Sequence, residues 1–356
     1  MYRGFAAALL GAACTLLAGP GWAEPYLAVR SGLPCSSCHV NATGGGLRTA
    51  FGNAYGRTEL SISPLMSDPE EFTIPLPAAL RVGGNARYSA RQFDLEDTDG
   101  DLEFNTDRVT LYGYVQLNDA LGLYVDQQVA PGGSLNRETW ARLMVGQWYL
   151  KAGTLFLPYG WRLEDDTAFV RESTGINFNS ADEGVEVGYD SASWQLQLAV
   201  TNGAGGGGEV DDGKFFTLRS SWINALGQIG LSAGRNNTDF GDRTLYGVFA
   251  GFNTGPVTWL LEYDRVEDEA SGVEDFKLDL ALLEANWLVA RGHNIKLTLE
   301  HQAVDGEDRD RLRSSLVWEF FPWSHTQFRS GIRSRNSDDP TFPEGEEYFL
   351  QLHVYF

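Results

Sequence analysis

Two cysteines and a histidine, in the run Cys35-Ser36-Ser37-Cys38-His39, have the spacing that points most directly to chemistry. C-x-x-C-H is the attachment sequence of a c-type haem, in which each thiol forms a thioether and the histidine is the proximal iron ligand. The alternative is a C-x-x-C disulfide or redox dithiol, which gives His39 no role. The spacing therefore predicts one covalent haem c, bound by Cys35, Cys38 and His39.

Residues 1–23 have the composition of a secretion signal, with Arg3 before an apolar run and a small-residue cleavage site that ends at Ala23. Such a signal fits a haem that is attached outside the cytoplasm. Cleavage after Ala23 removes Cys14 and leaves Cys35 and Cys38, so the mature chain has no cysteine for a structural disulfide. A lipoprotein cleavage before Cys14 is the weaker alternative.

The composition narrows the class of protein. The 356 residues carry 48 acidic and 27 basic side chains, for a net charge of -21, which excludes nucleic acid as a partner. No later segment is apolar for the roughly 18 residues that a spanning helix needs. A mean hydropathy of -0.25 is that of a soluble protein, but also that of a transmembrane barrel in which every second residue faces water.

Residues 24–60 form the predicted haem segment. Leu47, Phe51 and Tyr55 recur at the spacing of one helix face, and we expect this face to pack on the porphyrin, with packing on protein as the alternative. The glycines at 44–46 allow the backbone to approach a flat ligand. Residues 61–77 are rich in proline and acidic side chains and are interpreted as a linker.

From residue 78 to 356 the pattern changes to alternation of apolar and polar residues, as in Trp194-x-Leu196-x-Leu198-x-Val200. This period is typical of strands with one face to lipid and one to water. The predicted fold class is all-β, a transmembrane antiparallel β-barrel of about sixteen strands. Strands are predicted at 80–95, 104–118, 121–130, 139–146, 148–157, 184–191, 193–203, 214–223, 227–236, 243–254, 256–266, 276–290, 293–304, 309–321, 325–336 and 346–356.

The connections and the C-terminus support the barrel. Tight turns alternate with long loops rich in Asp, Glu and Gly, which is the arrangement of short periplasmic turns and longer external loops. The last strand, with apolar residues at every second position from Tyr348 to Phe356, is similar to the signal by which bacterial outer-membrane barrels are recognised for insertion. We therefore expect a protein of the outer membrane of a Gram-negative bacterium.

A secretion signal, one C-x-x-C-H segment, a linker and a barrel together resemble the fused outer-membrane monohaem cytochrome–porins, whose best-known members are iron oxidases. The matching positions are Arg30-x-Gly32-x-x-Cys35-x-x-Cys38-His39 and Leu47-x-x-x-Phe51-Gly52. The resemblance implies electron transfer across the outer membrane and leaves the donor open, with Fe(II) as one candidate. Separately, the run from Phe156 to Arg162 resembles the strand-to-loop turn of phosphate-selective-type porins.

His39 is expected to be the proximal ligand, and no nearby motif supplies the sixth. Met66, in the linker, is the nearest methionine. Strand parity places His353 and His325 in the lumen near the periplasmic end, and Met144 on the lumen side near a periplasmic turn. For each candidate, an interfacial or packed role is the alternative. A ligand from the barrel would lock the haem inside it, whereas Met66 would leave the haem segment free to move.

Charged side chains are expected on both faces of the wall. Lumen-facing arginines are predicted to offset haem propionates or to line an anion path. They are Arg311, Arg313, Arg329, Arg333 and Arg335. Acidic runs occupy the outer loops at 96–101, 164–166, 267–269, 305–308 and 338–339. Carboxylates attract divalent cations, here either Fe(II) or, as the favoured alternative, Mg²⁺ or Ca²⁺ that bridge to lipopolysaccharide.

One haem does not bridge an apolar band of roughly 25 Å unless it lies within the lumen, so the haem segment is expected to plug the barrel. The predicted function is electron transfer between an extracellular metal ion or redox partner and a periplasmic cytochrome or other electron carrier, within outer-membrane lipid. No residue is predicted to act as a chemical catalyst. The alternatives are a diffusion porin for small anions with a haem-bearing plug or gate, and a purely structural plugged barrel.

Overall fold

A computed structural model describes residues 24–63, 76–95, 98–177, 179–206, 208–209, 211–239, 241–270, 275–306, 309–339 and 342–356. The predicted signal peptide and residues 64–75 of the predicted linker, with Met66, lie outside the described residues. The domain bounds given above therefore stay predictions.

The strands are β1 (Leu80–Leu95), β2 (Thr98–Asp99), β3 (Glu103–Gln116), β4 (Leu121–Ala130), β5 (Leu135–Val145), β6 (Trp148–Phe156), β7 (Ala181–Asp190), β8 (Trp194–Thr201), β9 (Phe215–Asn224), β10 (Gly227–Thr238), β11 (Gly241–Thr254), β12 (Val257–Ala270), β13 (Phe276–Ala290), β14 (His293–Val304), β15 (Arg311–Phe320), β16 (Thr326–Ser337) and β17 (Gly345–Tyr355).

These strands form one closed antiparallel barrel. Each long strand pairs with the next along the chain, and β1 pairs with β17 to close the ring. Only β2 is short: its two residues pair with the outer end of β1, so sixteen of the described strands are long. Closure leaves no unpaired strand edge, which is the requirement for strands in lipid. The predicted fold class and strand number are confirmed.

Side chains alternate between the two faces of the wall as the sequence predicted. On β8, Trp194 and Leu198 are about half exposed on the outer face, whereas Gln195 and Gln197 are each 1% exposed on the inner face. Apolar side chains outside and polar side chains inside are the reverse of a soluble core and fit a barrel surrounded by lipid.

Tryptophans mark one rim of the barrel. Trp148, Trp194, Trp222, Trp287 and Trp318 are all exposed on the outer face, and each lies within a few residues of a short turn. Amphipathic rings concentrate at the membrane–water interface. They therefore place the short turns at a membrane surface, and short turns of outer-membrane barrels face the periplasm.

The predicted alternation of short and long connections holds only in part. The turns at the tryptophan-marked end are short throughout, but two outer connections are also short, at 131–134 and between Thr238 and Gly241. There the strands continue outward beyond their predicted ends as paired ribbons. β5, for example, begins at Leu135 because Gln128 pairs with it.

The N-terminal segment lies inside the barrel. Its helices are α1 (Pro25–Ser31), α2 (Cys35–Cys38) and α3 (Ala50–Tyr55), followed by one π-helical turn at Gly56–Leu60. Pro25 starts α1 at a position where its missing N–H is not needed, and Gly32 ends the helix with a φ of 64°. Among the described residues, no helix has the length and apolar content to cross a membrane.

Contacts with the short turns place this plug at the periplasmic end of the lumen. Asn253 donates from its side chain to the Val29 carbonyl at 3.1 Å, beside the β11–β12 turn. The Ile62 N–H donates to the Phe321 carbonyl at 3.0 Å, beside the β15–β16 turn. The expectation that the segment plugs the barrel is confirmed.

The lipid-facing assignment predicts a depth-dependent effect of charge. We expect Leu299→Arg, at the middle of β14 on the outer face, to lower the free energy of unfolding by about 2–4 kcal/mol, because an arginine at the bilayer midplane costs that much. Urea unfolding in phospholipid vesicles measures it. Leu226→Arg is the control, since Leu226 is 82% exposed in a periplasmic turn; equal losses for the two variants would contradict the assignment.

Candidate functional site

The C-x-x-C-H run forms a single helical turn followed by an extended residue. Pro34 precedes α2, and the His39 N–H donates to the Cys35 carbonyl at 3.0 Å. This turn brings Cys35, Cys38 and His39 to the wall of one small pocket, which Trp161 and Arg162 of the β6–β7 loop close from the other side. The two thiols are free.

A glycine hairpin follows the motif. Residues His39 and Arg48 form an antiparallel bridge, and Gly44, Gly45 and Gly46 between them have φ values of 89°, 73° and 64°. Only glycine adopts three successive left-handed conformations at low cost. The glycines therefore reverse the chain, and Gly45 and Gly46 line the cavity beside His39.

Helix α3 packs tightly on the motif. Thr49 caps it, since its hydroxyl accepts from the Gly52 N–H at 3.0 Å and donates to the Ser37 carbonyl at 2.7 Å. A Cβ on Gly52 would lie 2.2 Å from the Cys38 carbonyl oxygen. Position 52 therefore requires glycine for close approach.

The predicted face of Leu47, Phe51 and Tyr55 is wrong. The Thr49 cap starts the helix at Ala50, so Leu47 is not on it. Leu47 packs in a cluster on the barrel wall with aromatic side chains such as Tyr124, and Phe51 is 48% exposed. Of the three, Tyr55 lines the cavity.

A cavity of about 100 Å³ lies beside the motif and is lined by Cys38, His39, Tyr55, His353 and Tyr355, among others. His39 is 4% exposed, and its ring nitrogens lie beside the Gly45 and Gly46 backbone but make no hydrogen bond of good geometry within the described residues. A buried imidazole without partners is rare and costs about 1–3 kcal/mol.

The described candidates for the sixth ligand differ in their position relative to the cavity beside His39. His353 lines the cavity with His39. Met144 is half-buried on β5 opposite Tyr149. His325 lies in the turn before β16 at a φ of 67°, so strand parity does not apply to it, and its Nδ1 lies 3.0 Å from the Tyr355 carbonyl. Met144 and His325 lie outside the described wall of the cavity.

The arginines at the cavity are mostly not the predicted ones. Among the cavity-lining residues are five arginines and two glutamates, and three of the arginines, Arg87, Arg108 and Arg137, form ion pairs with carboxylates. The five are Arg48, Arg87, Arg108, Arg137 and Arg162. Strand parity marks those on strands as lumen-facing, but Arg48 and Arg162 lie in the hairpin and in a loop, where no periodic pattern signals them.

The predicted arginine cluster is real but is neutralised by carboxylates. Each arginine forms at least one ion pair with an acidic side chain of the wall or of the β6–β7 loop. The shortest are Arg311–Asp339 at 2.5 Å, Arg313–Glu300 at 2.7 Å, Arg329–Glu164 at 3.3 Å, Arg333–Asp165 at 2.7 Å and Arg335–Glu347 at 3.3 Å. These guanidinium groups hold the lumen together instead of forming an open anion path.

The acidic run at 164–166 is not an outer surface. The β6–β7 loop folds into the lumen, where Phe169–Glu172 forms helix α4. Asp165 accepts from Arg333 at 2.7 Å, and Glu164 lies 3.0 Å from Arg87. Burial alone would raise the pKa of Asp165, but Arg333 and Arg313 hold it well below its usual value. Inward folding follows because buried arginines of the wall need these carboxylates.

A second cavity, of about 370 Å³, lies on the outer side of the first. Arg91, Asp107 and Glu347 line it further out, and Arg87, Arg108 and Glu164 line both cavities. Since β1 and β17 run between the two rims, the shared residues stand between the outside and the cavity beside His39. The ion pair of Arg87 with Glu164 is part of this partition.

Burial sets the protonation of the motif. It raises the pKa of Cys38 to about 11 and also raises that of Cys35, so neither thiol is ionised at neutral pH. A redox dithiol or a thiolate metal site needs a lowered thiol pKa. Burial, with Arg48, lowers the pKa of His39 to about 3, which leaves its imidazole neutral and able to bind a metal.

No protein-family model matches the chain, and no curated protein does. Solved structures do match. OmpT of Vibrio cholerae has a TM-score of 0.63 at 13% identity over 80% of this chain and 100% of that chain. The anion-selective porin from Comamonas acidovorans has a TM-score of 0.62 at 12% identity over 78% of this chain and 99% of that chain. The outer-membrane channel DcaP of Acinetobacter baumannii has a TM-score of 0.55 at 13% identity over 78% of this chain and 97% of that chain.

The fold is that of the outer-membrane porins. With an apolar outer face and a tryptophan rim, the barrel has outer-membrane lipid as its surroundings, and the expected location in a Gram-negative outer membrane is confirmed.

The close approach at Gly52 gives a test of plug packing. We expect Gly52→Ala to push α3 away from α2 and to open residues 24–63 to trypsin, because the added methyl overlaps the Cys38 carbonyl. Cleavage at Arg48 and Arg57, followed by mass spectrometry, measures it. Gly208→Ala is the matched control, as no atom lies within 4 Å of its added Cβ; equal cleavage of both variants would refute tight packing.

The inward loop gives a second test. We expect Asp165→Asn to lower the free energy of unfolding by about 1–3 kcal/mol at neutral pH, because two arginines lose a charged partner. A lowered pKa means that this stabilisation is full above the ordinary aspartate pKa of about 3.9 and is lost as pH falls through the lower folded value.

Urea unfolding of both proteins as a function of pH measures the difference, which should shrink in acid. The control is Asp279→Asn on the outer rim, whose exposed pair with Arg265 is worth about 0.2–1 kcal/mol. A pH-independent difference for Asp165→Asn would show that its ionisation does not hold the loop.

Proposed function

We propose that this chain is an outer-membrane cytochrome–porin: a barrel whose plug carries one haem c and transfers electrons between the outer surface and a periplasmic carrier. The single observation that carries the proposal is the state of His39. It follows the C-x-x-C turn directly, it is buried at the wall of a cavity that it shares with Cys38, and its ring nitrogens make no hydrogen bond of good geometry within the described residues.

The side chains of the C-x-x-C-H motif have the chemistry that a haem c requires. Cys35 and Cys38 supply two neutral thiols one helical turn apart, as two thioethers require. His39 supplies a neutral imidazole, and an iron bond would satisfy one of its two ring nitrogens. The arginine-rich wall of the same cavity suits two propionates. When bound, haem iron accepts and releases one electron.

The outer cavity gives an external redox partner access to the site. It leads from the outer rim to the partition of Arg87, Arg108 and Glu164, which also lines the haem cavity. Its volume admits a small ion or molecule and excludes a folded protein. The proposed external partner is therefore a small soluble redox compound, with Fe(II) as one member of that class.

The plug provides the route for electrons between the haem cavity and the periplasmic surface. Tyr55 lines the haem cavity, and its ring stacks on Phe51 with centroids 5.7 Å apart. Phe51 is 48% exposed at the periplasmic end of the lumen. One aromatic pair therefore separates the cavity from the surface where a periplasmic electron carrier would dock.

A second candidate function is diffusion of small anions through the barrel, which the similarity to an anion-selective porin favours. Against it stand the plug in the periplasmic half of the lumen and the β6–β7 loop that fills part of the outer half. The paired lumen arginines likewise leave little free positive charge along the path.

Reconstitution into vesicles that contain an oxidised soluble cytochrome tests the main proposal. We expect external dithionite or Fe(II) to reduce the bound haem and then the trapped cytochrome, because the cavities connect the two sides through one cofactor. A Cys35→Ala, Cys38→Ala double variant should carry no covalent haem and lose transfer. Gly208→Ala is the matched control.

Planar-bilayer conductance of the haem-loaded protein separates the two candidates. Large steady conductance with anion preference, together with no reduction of the trapped cytochrome, would overturn electron transfer in favour of diffusion. Negligible conductance with rapid reduction is the outcome we expect.

A further inference from the structure

We infer that His353, on the last strand of the barrel, would hold the haem iron together with His39. This assignment rests on the proposed function and adds what that function leaves open, namely which residue completes the iron site. It makes the site a joint product of the plug and the barrel wall.

The first observation is that His353 has a nitrogen available. The side chain is 6% exposed, and its Nδ1 lies 2.9 Å from the Gln327 side-chain oxygen, directly across the β16–β17 ladder. An amide oxygen only accepts, so Nδ1 carries the proton and donates. The Nε2 atom therefore holds a lone pair, and it has no hydrogen-bond partner among the described residues.

This arrangement is the one that metal-binding histidines use. A ligating imidazole usually donates its other N–H to a protein oxygen, which fixes the tautomer and the ring orientation. Gln327 does this for His353. A structural histidine in a polar lumen would instead be expected to use both nitrogens.

The second observation is convergence on one cavity. His353 and His39 line the same volume together with Cys38, although they are more than three hundred residues apart in the chain. Two buried imidazoles, each with a nitrogen that makes no hydrogen bond of good geometry within the described residues, thus meet at the cavity beside the attachment cysteines. One iron bound by both histidines would give each imidazole a partner for one of its nitrogens.

The two other candidates that the structure describes, His325 and Met144, do not share these features. His325 uses Nδ1 at the Tyr355 carbonyl and is only half-buried. Met144 lies on β5, outside the described wall of the cavity. Two histidine ligands also predict a lower potential than a histidine–methionine pair, since methionine raises it.

The assignment has a structural consequence. β17 closes the barrel against β1, and His353 pairs across that seam with Arg87, which also forms part of the partition to the outer cavity. A ligand at this position fixes the haem to the seam, so the plug cannot leave the lumen while the iron bond lasts.

The test uses absorption and EPR spectra and the midpoint potential of the full-length, haem-loaded protein. We expect the wild type to be low-spin and six-coordinate in both oxidation states and not to bind CO. His353→Ala should lose the low-spin spectrum, bind CO when reduced, and regain the low-spin spectrum with added imidazole. His353→Met should remain six-coordinate with a more positive potential.

His325→Ala is the matched control and should leave the spectrum and potential unchanged. Heat-modifiable migration on gels confirms that each variant is folded; if His353→Ala does not assemble, the shift of potential in His353→Met decides. A wild-type spectrum unaltered by both His353 substitutions overturns the assignment while the covalent haem remains. Absence of covalent haem from the wild type, shown by haem staining of denatured protein, overturns the proposed function as well.

Discussion

Closure of the strand ring is the constraint on which the rest of this structure depends. In lipid every backbone N–H and C=O must be paired, so β1 must meet β17 and no strand can end the sheet. Closure with sixteen long strands creates an interior that is wider than the strands' own side chains fill. That interior is polar, and its charges must find partners within the protein. The plug and the inward loop are how this chain supplies them.

The two inward segments enter the lumen from opposite ends. The plug enters from the periplasmic end, where Asn253 donates to the Val29 carbonyl, and the β6–β7 loop enters from the outside through Asp165 and its arginines. They meet where Trp161 and Arg162 of the loop close the pocket that holds Cys35 and Cys38. The candidate site is thus built at their junction, in a barrel whose solved counterparts are porins.

This position explains why the fold and the proposed chemistry belong together. A cavity at the junction of plug and loop has access to the outer cavity on one side and, through Tyr55 and Phe51, to the periplasmic surface on the other. Burial keeps the His39 imidazole neutral and the thiols protonated, which suits a covalently held haem better than a dithiol. The barrel spans the lipid, and the plug places the residues of the proposed haem site inside it.

The sequence by itself determined the strands, their inner and outer faces and the C-x-x-C-H spacing, because alternation and short motifs are local properties of the chain. It predicted Leu47 on the face of a helix that, because Thr49 caps it, begins only at Ala50. It also predicted that the acidic residues at 164–166 lie on the outer surface. Only the tertiary structure decided that those acids turn inward and that His353, among the three candidate ligands it describes, shares a cavity with His39. Both outcomes depend on contacts between distant segments, which exist only once the barrel closes around the plug.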